Sequence, residues 1–484
     1  MEDLPNGFIT RPRKTPGFES AGDAIRRSRA GVEPPKSHEF YEQADQEALE
    51  KGWSAGNAPA FDRSFERDVN RNTSYDVYPY LVVPESPSPD AEVGFNLKEL
   101  DSIPVTDRRW SWVEVELSAI TNNVLAIRQS INPDTLFMAV VKANAYGHGA
   151  VESTKAAIAG GAAYAGVATI DEAVELRRGG IDIPILILSE PPISAIPFLL
   201  AYDVMPAVST MEFAVKYAEA ADSIGVKAPF HLKINTGMNR IGVRYNEVKT
   251  FIRTISFHRA LLIAGTFTHF ATADTDDTMD FKLQKQRFEA AVSDIRSLGF
   301  DPGIIHAANS AATLRYKDVQ YDMVRPGIAM YGCYPSPACY GRVNLMPAMS
   351  VKARITQVNQ VPVGEGVSYG LLHRCNGFAK TCTLPIGYGD GLKRGLSGRI
   401  NVLMNGRKYP QVGNICMDQC MFEIDQRTHS GIGRIDPKVG DEVTIVGTDG
   451  NAFATVDQMA ELIHSIPYEI LIGFGDSRLP KVFV

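Results

Sequence analysis

The chain lacks the features that mark secreted, membrane and nucleic-acid-binding proteins. Its 484 residues include only six cysteines, too few to suggest a disulfide framework in a chain of this length. No run of about 18 apolar residues occurs, so no membrane-spanning helix is expected. Met1–Thr10 lacks the charged start and apolar stretch of a secretory signal. The net charge of −7 gives no reason to expect a nucleic-acid partner. These absences predict a cytoplasmic protein.

Two further absences concern cofactors. Cys416 and Cys420 flank three residues, but no second close cysteine pair or nearby histidine completes a zinc site. We therefore expect no metal. No Gly-x-Gly-x-x-Gly follows the first predicted strand, so an open, doubly wound dinucleotide-binding sheet is only the second choice of fold.

The first part of the chain, residues 1–107, is an N-terminal extension to which the sequence assigns no role. Its stretch Arg11–Pro35 mixes Pro, Gly, Arg and Ser with few large apolar side chains. Such a composition buries too little surface to offset the entropy of ordering. We expect the extension to be largely irregular and partly disordered.

Residues 108–346 alternate between short apolar strands and helical segments. Ile120, Val124 and Ile127 recur at the spacing of one helix face, and Asp171 is a predicted helix N-cap. Repeated strand–helix units over about 240 residues predict a parallel (β/α)8 TIM-like barrel. The candidate strands are Trp112–Leu117, Phe137–Ala143, Ala165–Ile170, Pro184–Leu188, Val204–Val208, Phe230–Ile234, Leu262–Phe267, Gly303–Ala307 and Met323–Arg325.

Residues 347–484 carry a different pattern. Val351–Val363 alternates between apolar and polar residues, and Asn405-Gly406 is a hairpin turn between two strand candidates. Asp441–Val446 is a further strand, and Val456–Ile466 a closing helix. A separate, mostly β C-terminal domain is the natural interpretation.

The strongest local signal for chemistry is a lysine at the end of a strand. Lys142 follows the apolar run Phe137–Val141 and precedes a polar loop. In an α/β barrel this position points into the active site at the C-terminal mouth of the strands. Desolvation there lowers the pKa of a lysine, which can then form an imine with an aldehyde and later abstract a proton. From the lysine alone, an ion pair with a carboxylate is the better interpretation.

The ten residues from Val140 to Gly149, VVKANAYGHG, closely resemble the cofactor-lysine motif of the alanine racemase family, whose members are fold-type III pyridoxal-phosphate enzymes. The resemblance extends from about residue 110 to residue 484 and leaves the N-terminal extension outside. It implies racemisation of L-alanine to D-alanine, which in the family supplies cell-wall peptidoglycan.

The resemblance assigns cofactor roles to residues in several segments. Lys142 is implied to hold pyridoxal 5'-phosphate covalently, and Tyr146 and Ser310 to bind its phosphate. Asn309-Ser310, interpreted without the family, is a helix N-cap, and the two interpretations agree because a helix N-terminus offers free N–H groups to a phosphate. The full cofactor set is Lys142, Tyr146, Arg240, His269, Asn309, Ser310, Arg325 and the backbone amides of Gly327 and Ile328.

Arg325 bears on the type of reaction. Many pyridoxal-phosphate enzymes place a carboxylate against the pyridine nitrogen, which keeps it protonated and stabilises a long-lived carbanion. The resemblance implies that Arg325 takes this place, and an always-charged donor leaves the nitrogen unprotonated. The carbanion is then quickly reprotonated, which favours racemisation over transamination. A structural arginine before Pro-Gly is a fair alternative from this segment alone.

Racemisation takes a proton from one face of Cα and returns one to the other, so two acid/base groups are needed. Lys142 serves one face, and Tyr369 in GVSYG resembles the second catalytic residue of the family. A phenol titrates near 10, so it needs a lowered pKa to act as a base. The resemblance implies that a chain through His306 and Arg325 lowers it. It also implies a homodimer in which Tyr369 reaches the neighbouring barrel.

The remaining matches surround the same site. Arg240 is implied to donate to the phenolic oxygen of the cofactor and to contact substrate. Lys233 stands where the family often carries a carbamylated lysine; unmodified, the two cations would repel, so carbamylation or an anion is required. His269 is implied to pack on the pyridine ring, with a core histidine as the competing interpretation. The residues implied to contact the substrate or its entrance are Tyr388, Met417 and Asp418.

One segment departs from the family. A tyrosine commonly precedes an Arg-Val-Pro near the C-terminus and narrows the pocket, whereas here no tyrosine stands shortly before Arg478-Leu479-Pro480. A missing phenol would leave room for a side chain larger than methyl, so a serine or broad-specificity racemase is an alternative. A non-catalytic pyridoxal-phosphate carrier and a decarboxylase of basic amino acids are two others. The second domain with Tyr369 argues against the carrier, and Arg325 and Tyr369 argue against the decarboxylase.

Overall fold

The computed structural model describes residues 102–425 and 436–484. The predicted extension, including Arg11–Pro35, falls almost entirely outside these ranges. Its described part contains one short helix, α1, at Val105–Arg108. Among the described residues, every helix is too short or too polar to cross a membrane.

The first strand, β1 (Ser111–Val115), does not belong to the barrel. It pairs antiparallel with the later strand Met349–Arg354 and parallel with Lys481–Phe483. The prediction that Trp112–Leu117 opens the barrel is therefore wrong. Four of the five strand residues are buried, a pattern that suits an interior strand of either sheet, so the local sequence does not distinguish the two.

The other eight predicted strand segments form the barrel. Each pairs in parallel with its neighbours, and the ring closes where Met323 pairs with Leu136. This closure excludes the open sheet. The strands are β2 (Leu136–Val140), β3 (Tyr164–Val167), β4 (Ile185–Ile187), β5 (Val204–Val208), β6 (Ala228–Asn235), a short β7 (Val243–Arg244) paired with the end of β6 and outside the ring, β8 (Leu261–Phe267), β9 (Ile304–His306) and β10 (Met323–Val324).

Helices connect the strands. The helix that follows β3 begins at Ile170, where the Thr169 hydroxyl accepts from the Glu172 N–H and the Glu172 carboxylate accepts from the Thr169 N–H. The prediction of Asp171 as N-cap is wrong, because this reciprocal pair already caps the helix and Asp171 lies in its first turn. The helices are α2 (Leu117–Ser130), α3 (Ala150–Ala159), α4 (Ile170–Arg178), α5 (Ile196–Ala201), α6 (Met211–Ser223), α7 (Val248–Ile255), α8 (Met279–Ser297) and α9 (Ser310–Arg315).

The C-terminal domain is built on a largely antiparallel sheet that includes β1. Its predicted hairpin is confirmed: Asn405 and Gly406 have φ of 53° and 74°, as a two-residue type I′ turn requires. The strands are β11 (Met349–Arg354), β12 (Gln357–Gln360), β13 (Gly366–Val367), β14 (His373–Arg374), β15 (Ala379–Leu384), β16 (Asn401–Met404), β17 (Arg407–Val412), β18 (Cys420–Asp425), β19 (Glu442–Asp449), β20 (Ala452–Ala454) and β21 (Lys481–Phe483), with helices α10 (Val456–Leu462) and α11 (Pro467–Gly475). Strands β13 and β14 pair only with each other within the described residues.

Candidate active site

A cavity of about 290 Å³ opens at the C-terminal ends of the barrel strands. Ten of the residues singled out from the sequence line it: Lys142, Tyr146, Lys233, Arg240, His269, Asn309, Ser310, Arg325, Gly327 and Ile328. Parallel strands place their carboxyl ends at one rim of the barrel, which brings these distant segments together. The cavity wall also includes residues that the sequence analysis missed, among them Met238, Phe267, Asp274 and Tyr468.

The backbone after Lys142 makes a left-handed turn. Ala143, Asn144, Ala145 and Tyr146 have φ between 49° and 54°, in the region that L-residues rarely occupy. Left-handed helical residues cost about 1–2 kcal/mol each, so the surrounding structure must hold the turn in place. The turn brings both Lys142 and Tyr146 to the cavity wall.

Three contacts hold this turn. Glu172 on α4 accepts from the Ala143 N–H at 2.7 Å, and the Asn144 side chain bridges the Ala150 N–H at 2.8 Å and the Asp476 carboxylate at 3.2 Å. At Gly147 a Cβ atom would lie 2.7 Å from the Leu471 carbonyl oxygen, so α11 packs directly on the backbone here. Helix α11 therefore supports the loop at residues 142–147, which is called the lysine loop below.

The cavity is positively charged. Of the described residues that line it, Lys142, Lys233, Arg240 and Arg325 are basic, and Asp274 alone is acidic. Burial and, to a smaller extent, the Arg240 charge lower the pKa of Lys142. A lysine with a lowered pKa is a better nucleophile near neutral pH because more of it is uncharged. An anionic ligand with a carbonyl group suits this environment.

Arg325 is buried at the cavity floor and is held at both ends of its guanidinium. It donates to the Thr268 and Ala307 carbonyl oxygens at 2.8 and 3.0 Å, and its Nη1 lies 3.0 Å from His306 Nδ1. Burial lowers the pKa of Arg325 to about 9, so the group stays charged at neutral pH. Because these bonds fix its orientation, Arg325 presents a charged donor in one defined place.

His306 lies behind Arg325 and not at the cavity surface. It is fully buried and stacks on Phe267 with ring centroids 4.7 Å apart. Its Nε2 atom lies 2.7 Å from Nδ1 of His231. Burial and the Arg325 charge lower its pKa well below the usual value. The proposed chain from Tyr369 to Arg325 through His306 has no support in this arrangement, because His306 contacts the inner side of Arg325.

His269 lies on the cavity side of Arg325, where a chain of contacts from Tyr369 to Arg325 would have to pass. It lines the cavity, and its Nδ1 lies 3.4 Å from Arg325 Nη2. Burial and the charges of Arg325 and nearby lysines lower its pKa well below the usual value. A neutral ring at the cavity wall can lie against a planar ligand and accept from Arg325. Its place in the cavity lining favours the cofactor contact over the alternative of a core histidine.

Lys233 is buried beneath the same wall. Its Nζ lies 4.3 Å from the centre of the Phe267 ring, and burial with the charges of Arg325 and Arg240 lowers its pKa well below the usual value. No carboxylate pairs with Lys233 among the described ion pairs. This lysine favours the neutral form.

The opposite end of the cavity is made by backbone and hydroxyl groups. Asn309 caps helix α9 by accepting from the Ala312 N–H at 3.0 Å, as the sequence predicted. The Ser310 hydroxyl accepts from the Gly327 N–H at 2.9 Å. A Cβ on Gly327 would overlap the hydroxyl of Tyr146, so only glycine allows these two groups to approach. Together they form a cradle of donors suited to a phosphate.

No tyrosine occurs between Tyr468 and Arg478, as the sequence analysis noted. Tyr468 itself, in the first turn of α11, lines the cavity, and its ring centre lies 5.7 Å from that of Tyr146. The sequence analysis considered only a tyrosine close to Arg478 and assigned Tyr468 no role. Pro467, the residue before it, is a helix-start signal that could have located it. Burial raises the pKa of Tyr468 above its usual value, so its phenol stays protonated.

The site residues predicted in the C-terminal domain do not line this cavity in the single chain. Tyr369 follows β13 and its side chain is 73% exposed beside a surface hollow lined by Ser368 and Cys416. Tyr388 and Met417 are 42% and 53% exposed. These side chains are presented outward, away from the barrel mouth of their own chain.

Asp418 belongs to a cluster of charges that fixes these outward loops. Its carboxylate pairs with Arg478, whose Nε also donates to Asp390 at 2.8 Å, and Arg109 contacts the same Asp390 oxygen. Asp390 is fully buried and also accepts from the Gly387 N–H at 3.0 Å. A single carboxylate thus organises the loop that carries Tyr388.

Comparison with known proteins decides the family. Residues 115–335 match the model of the alanine racemase N-terminal domain, and residues 348–483 match that of its C-terminal domain. The chain belongs to the alanine racemase family. The match leaves the N-terminal extension outside both domains.

Alanine racemases of known sequence and structure resemble the chain over nearly their whole length. The alanine racemase of Carboxydothermus hydrogenoformans is 40% identical over 374 residues, which cover 77% of this chain and 99% of that protein. The crystal structure of alanine racemase from Bacillus anthracis with bound L-Ala-P is 37% identical with a TM-score of 0.72 and covers 78% of this chain and 95% of that one. A histidine racemase from Leuconostoc mesenteroides, 29% identical with a TM-score of 0.70 over 78% and 98%, shares the architecture.

Proposed function

We propose that this protein is a pyridoxal-phosphate-dependent alanine racemase with Lys142 and Tyr369 as its two acid/base groups. The main support for this proposal is the cavity at the C-terminal ends of the barrel strands. The half-buried Lys142, the charged Arg325 and the polar groups of Ser310 and Gly327 all line this one cavity. Alanine racemases are isomerases that use this cofactor. The cytoplasmic location that the sequence predicts for the protein stays a prediction.

The cavity fits pyridoxal phosphate. The cofactor's aldehyde would meet Lys142, and its phosphate would meet Tyr146, Ser310 and the N–H groups of Gly327 and Ile328 in the cradle that excludes a Cβ. Asn309 holds the helix start beside them. The remaining assignments, around the ring, are Arg325 at the pyridine nitrogen, His269 on the ring face and Arg240 at the phenolic oxygen. The charged Arg240 and Arg325 would balance part of the cofactor's negative charge.

The chain's own residues move the protons. When bound, the cofactor withdraws electrons from the substrate's Cα–H bond. Lys142 Nζ takes the proton from one face of Cα in one direction of the reaction and returns it in the other. Tyr369 Oη does the same at the opposite face. Arg325 keeps a positive donor beside the pyridine nitrogen, which favours rapid return of the proton to Cα.

We infer that a second copy of the chain supplies Tyr369. The exposed position of Tyr369, outside the lining of its own cavity, supports a homodimer with two shared sites. Tyr388, Met417 and Asp418 are presented on the same domain and would reach the neighbouring cavity together. In such a complex His269, which lies beside Arg325 at the cavity wall, is better placed than His306 to contact Tyr369.

We propose that Lys233 reacts with carbon dioxide to form a carbamate. Its lowered pKa favours the neutral amine that this reaction needs, and a carbamate would place a negative charge between Arg325 and Arg240. The mass of the intact peptide, measured in bicarbonate without acid treatment, tests this.

Alanine is the proposed substrate, because relatives matched over nearly their whole length are alanine racemases and the Tyr468 phenol contributes to the cavity wall. We would load the purified full-length protein with pyridoxal phosphate and incubate it separately with L-alanine, L-serine and L-histidine. Chiral chromatography measures each D-enantiomer. Conversion of alanine well above the others supports the proposal, comparable conversion of serine supports the broad-specificity alternative, and no D-product contradicts a racemase.

A further inference from the structure

Three potential metal ligands, from the β13–β14 hairpin that carries Tyr369 and from the main C-terminal sheet, lie close together. His373 on β14, the following Cys375 and Glu423 on β18 each offer one ligand atom, and these atoms lie within 4.8 Å of one another. Cys375 and Glu423 are only 3% and 9% exposed. The sequence analysis expected no metal because it looked for closely spaced cysteines. Glu423 is distant from His373 and Cys375 in the sequence, and only the fold brings it close to them.

Glu423 carries the decisive detail. One of its carboxylate oxygens, Oε2, lies 3.1 Å from His373 Nε2. The other, Oε1, is buried and accepts no hydrogen bond of normal geometry. The Cys375 thiol interacts with the Glu423 carboxylate in the same space, but a thiol is a weak donor. A buried carboxylate oxygen with so weak a partner is costly, and a cation bound beside it would compensate that cost.

We propose that His373, Cys375 and Glu423 form a binding site for a thiophilic divalent cation of the Zn²⁺ type. An imidazole nitrogen, a thiolate and a carboxylate are the ligands that Zn²⁺ takes in proteins. Zn–ligand bonds of about 2.0–2.3 Å separate tetrahedral ligands by about 3.5 Å, so the widest pair must close by about 1 Å. Water completes the fourth position. On binding, the Cys375 thiol releases one proton to solvent, and no redox change occurs.

The site would tie the hairpin to the main sheet. Strands β13 and β14 pair with each other, Val367 opposite His373, and Tyr369 lies in the turn between them. A cation held by His373, Cys375 and Glu423 would link the base of this hairpin to β18. The inference does not depend on the proposed racemase activity.

The first test measures metal binding to the full-length protein. We would titrate Zn²⁺ against a chromophoric chelator and compare wild type with Cys375→Ser, His373→Gln and Glu423→Gln. Each variant should weaken binding by at least about 10-fold, since ligands dominate metal affinity. Cys382→Ser, a buried cysteine on β15, and His258→Gln are matched controls and should bind as wild type does. Equal affinity in all six proteins, or no binding by wild type, overturns the proposal.

The second test identifies the ligands and their effect on the hairpin. Co²⁺ in place of Zn²⁺ should give near-ultraviolet thiolate absorbance that Cys375→Ser abolishes. Zn²⁺ should also slow amide hydrogen exchange at residues 366–375 in wild type and not in Cys375→Ser. Thiolate absorbance retained in Cys375→Ser, or exchange that Zn²⁺ slows equally in both proteins, contradicts the site. Neither readout requires racemisation, so failure of the proposed function leaves the test intact.

Discussion

The barrel mouth and the Tyr369 hairpin are built in opposite ways. Lys142 is half-buried within a cavity of its own chain, and Arg325 beneath it is fixed by bonds to two carbonyl oxygens and a histidine. Tyr369 is 73% exposed, on a two-stranded hairpin outside the main sheet. One half of the proposed site is complete in the single chain, whereas the other half, by our proposal, comes from the exposed hairpin of a second copy.

The two regions are therefore prepared for the proposed reaction in different ways. The barrel pre-arranges charge, because burial and, to a smaller extent, the Arg240 charge lower the pKa of Lys142 before any ligand arrives. The hairpin instead pre-arranges shape, because it presents the Tyr369 side chain at the surface. We therefore expect changes in the barrel to act on each chain alone, and changes in the hairpin to act across the dimer.

The largest effect is expected from Lys142→Ala. Removing the amine should abolish cofactor attachment and lower racemisation by at least about 10³-fold, because covalent and general-base functions are lost together. Borohydride reduction followed by peptide mass spectrometry should find the cofactor on Lys142 in wild type and on no peptide in Lys142→Ala. Lys155→Ala, an exposed lysine on α3, is the control. Undiminished labelling of Lys142→Ala would remove this residue from the site.

Tyr369→Phe should lower activity by about 10²–10³-fold through loss of one acid/base group. Exchange of the α-proton with deuterated solvent should fall for one enantiomer far more than for the other. Equal exchange from both enantiomers would contradict the two-base arrangement.

Mixing the two inactive variants tests sharing of the site directly. A heterodimer of Lys142→Ala and Tyr369→Phe chains contains one intact site, so random subunit exchange should restore about a quarter of wild-type activity. No recovery after verified exchange would place both residues in a single chain.

Arg325→Glu should slow racemisation by about 10²-fold and shift the partition toward transamination, since a carboxylate keeps the pyridine nitrogen protonated. The measurement is pyruvate formed per D-alanine formed. Because Arg325 is buried, Arg325→Lys provides a variant that retains charge with less disruption of the fold. An unchanged product ratio in Arg325→Glu would place the arginine elsewhere.

Asp390→Asn should reduce the free energy of unfolding by about 2 kcal/mol, because the buried carboxylate loses its charge-assisted hydrogen bonds with two partly exposed arginines. Chemical denaturation of the apoprotein measures this. Asp436→Asn, which removes an exposed ion pair, should change little. Equal stability of the two variants would mean that solvent already satisfies Arg109 and Arg478.

The smallest effect is a pH shift. Arg240 lowers the pKa of Lys142, so Arg240→Gln should raise it, and the pH at which Lys142 becomes reactive should move upward. The rate of Lys142 modification by an amine-directed reagent in the apoprotein, followed against pH, measures the shift. No shift would show that burial alone sets the pKa of Lys142, and a downward shift would contradict the effect assigned to Arg240.

Residues that follow barrel strands could be predicted because their position is local information. Lys142, Ser310 and Arg325 each lie close after a strand, and strand ends of a closed barrel meet at one rim. The hairpin turn at Asn405-Gly406 is local for the same reason.

The misjudged features depend on contacts between distant segments. Strand β1 joins the second sheet through partners more than 200 residues away in sequence, and Tyr468 reaches the cavity because α11 packs on the lysine loop. His306 is fully buried only because β9 turns its side chain toward His231. None of these relations is encoded in the spacing of nearby residues.

The packing of α11 on the lysine loop also sets an order of events during synthesis. Asn144 bonds to Asp476, 332 residues later in the chain, and Gly147 meets the backbone of the same helix. A strained left-handed turn cannot persist without these supports. The ribosome therefore delivers the barrel strands long before this loop can take its final form, and we expect any cofactor proposed to bind at Lys142 to be loaded only after residue 476 has emerged.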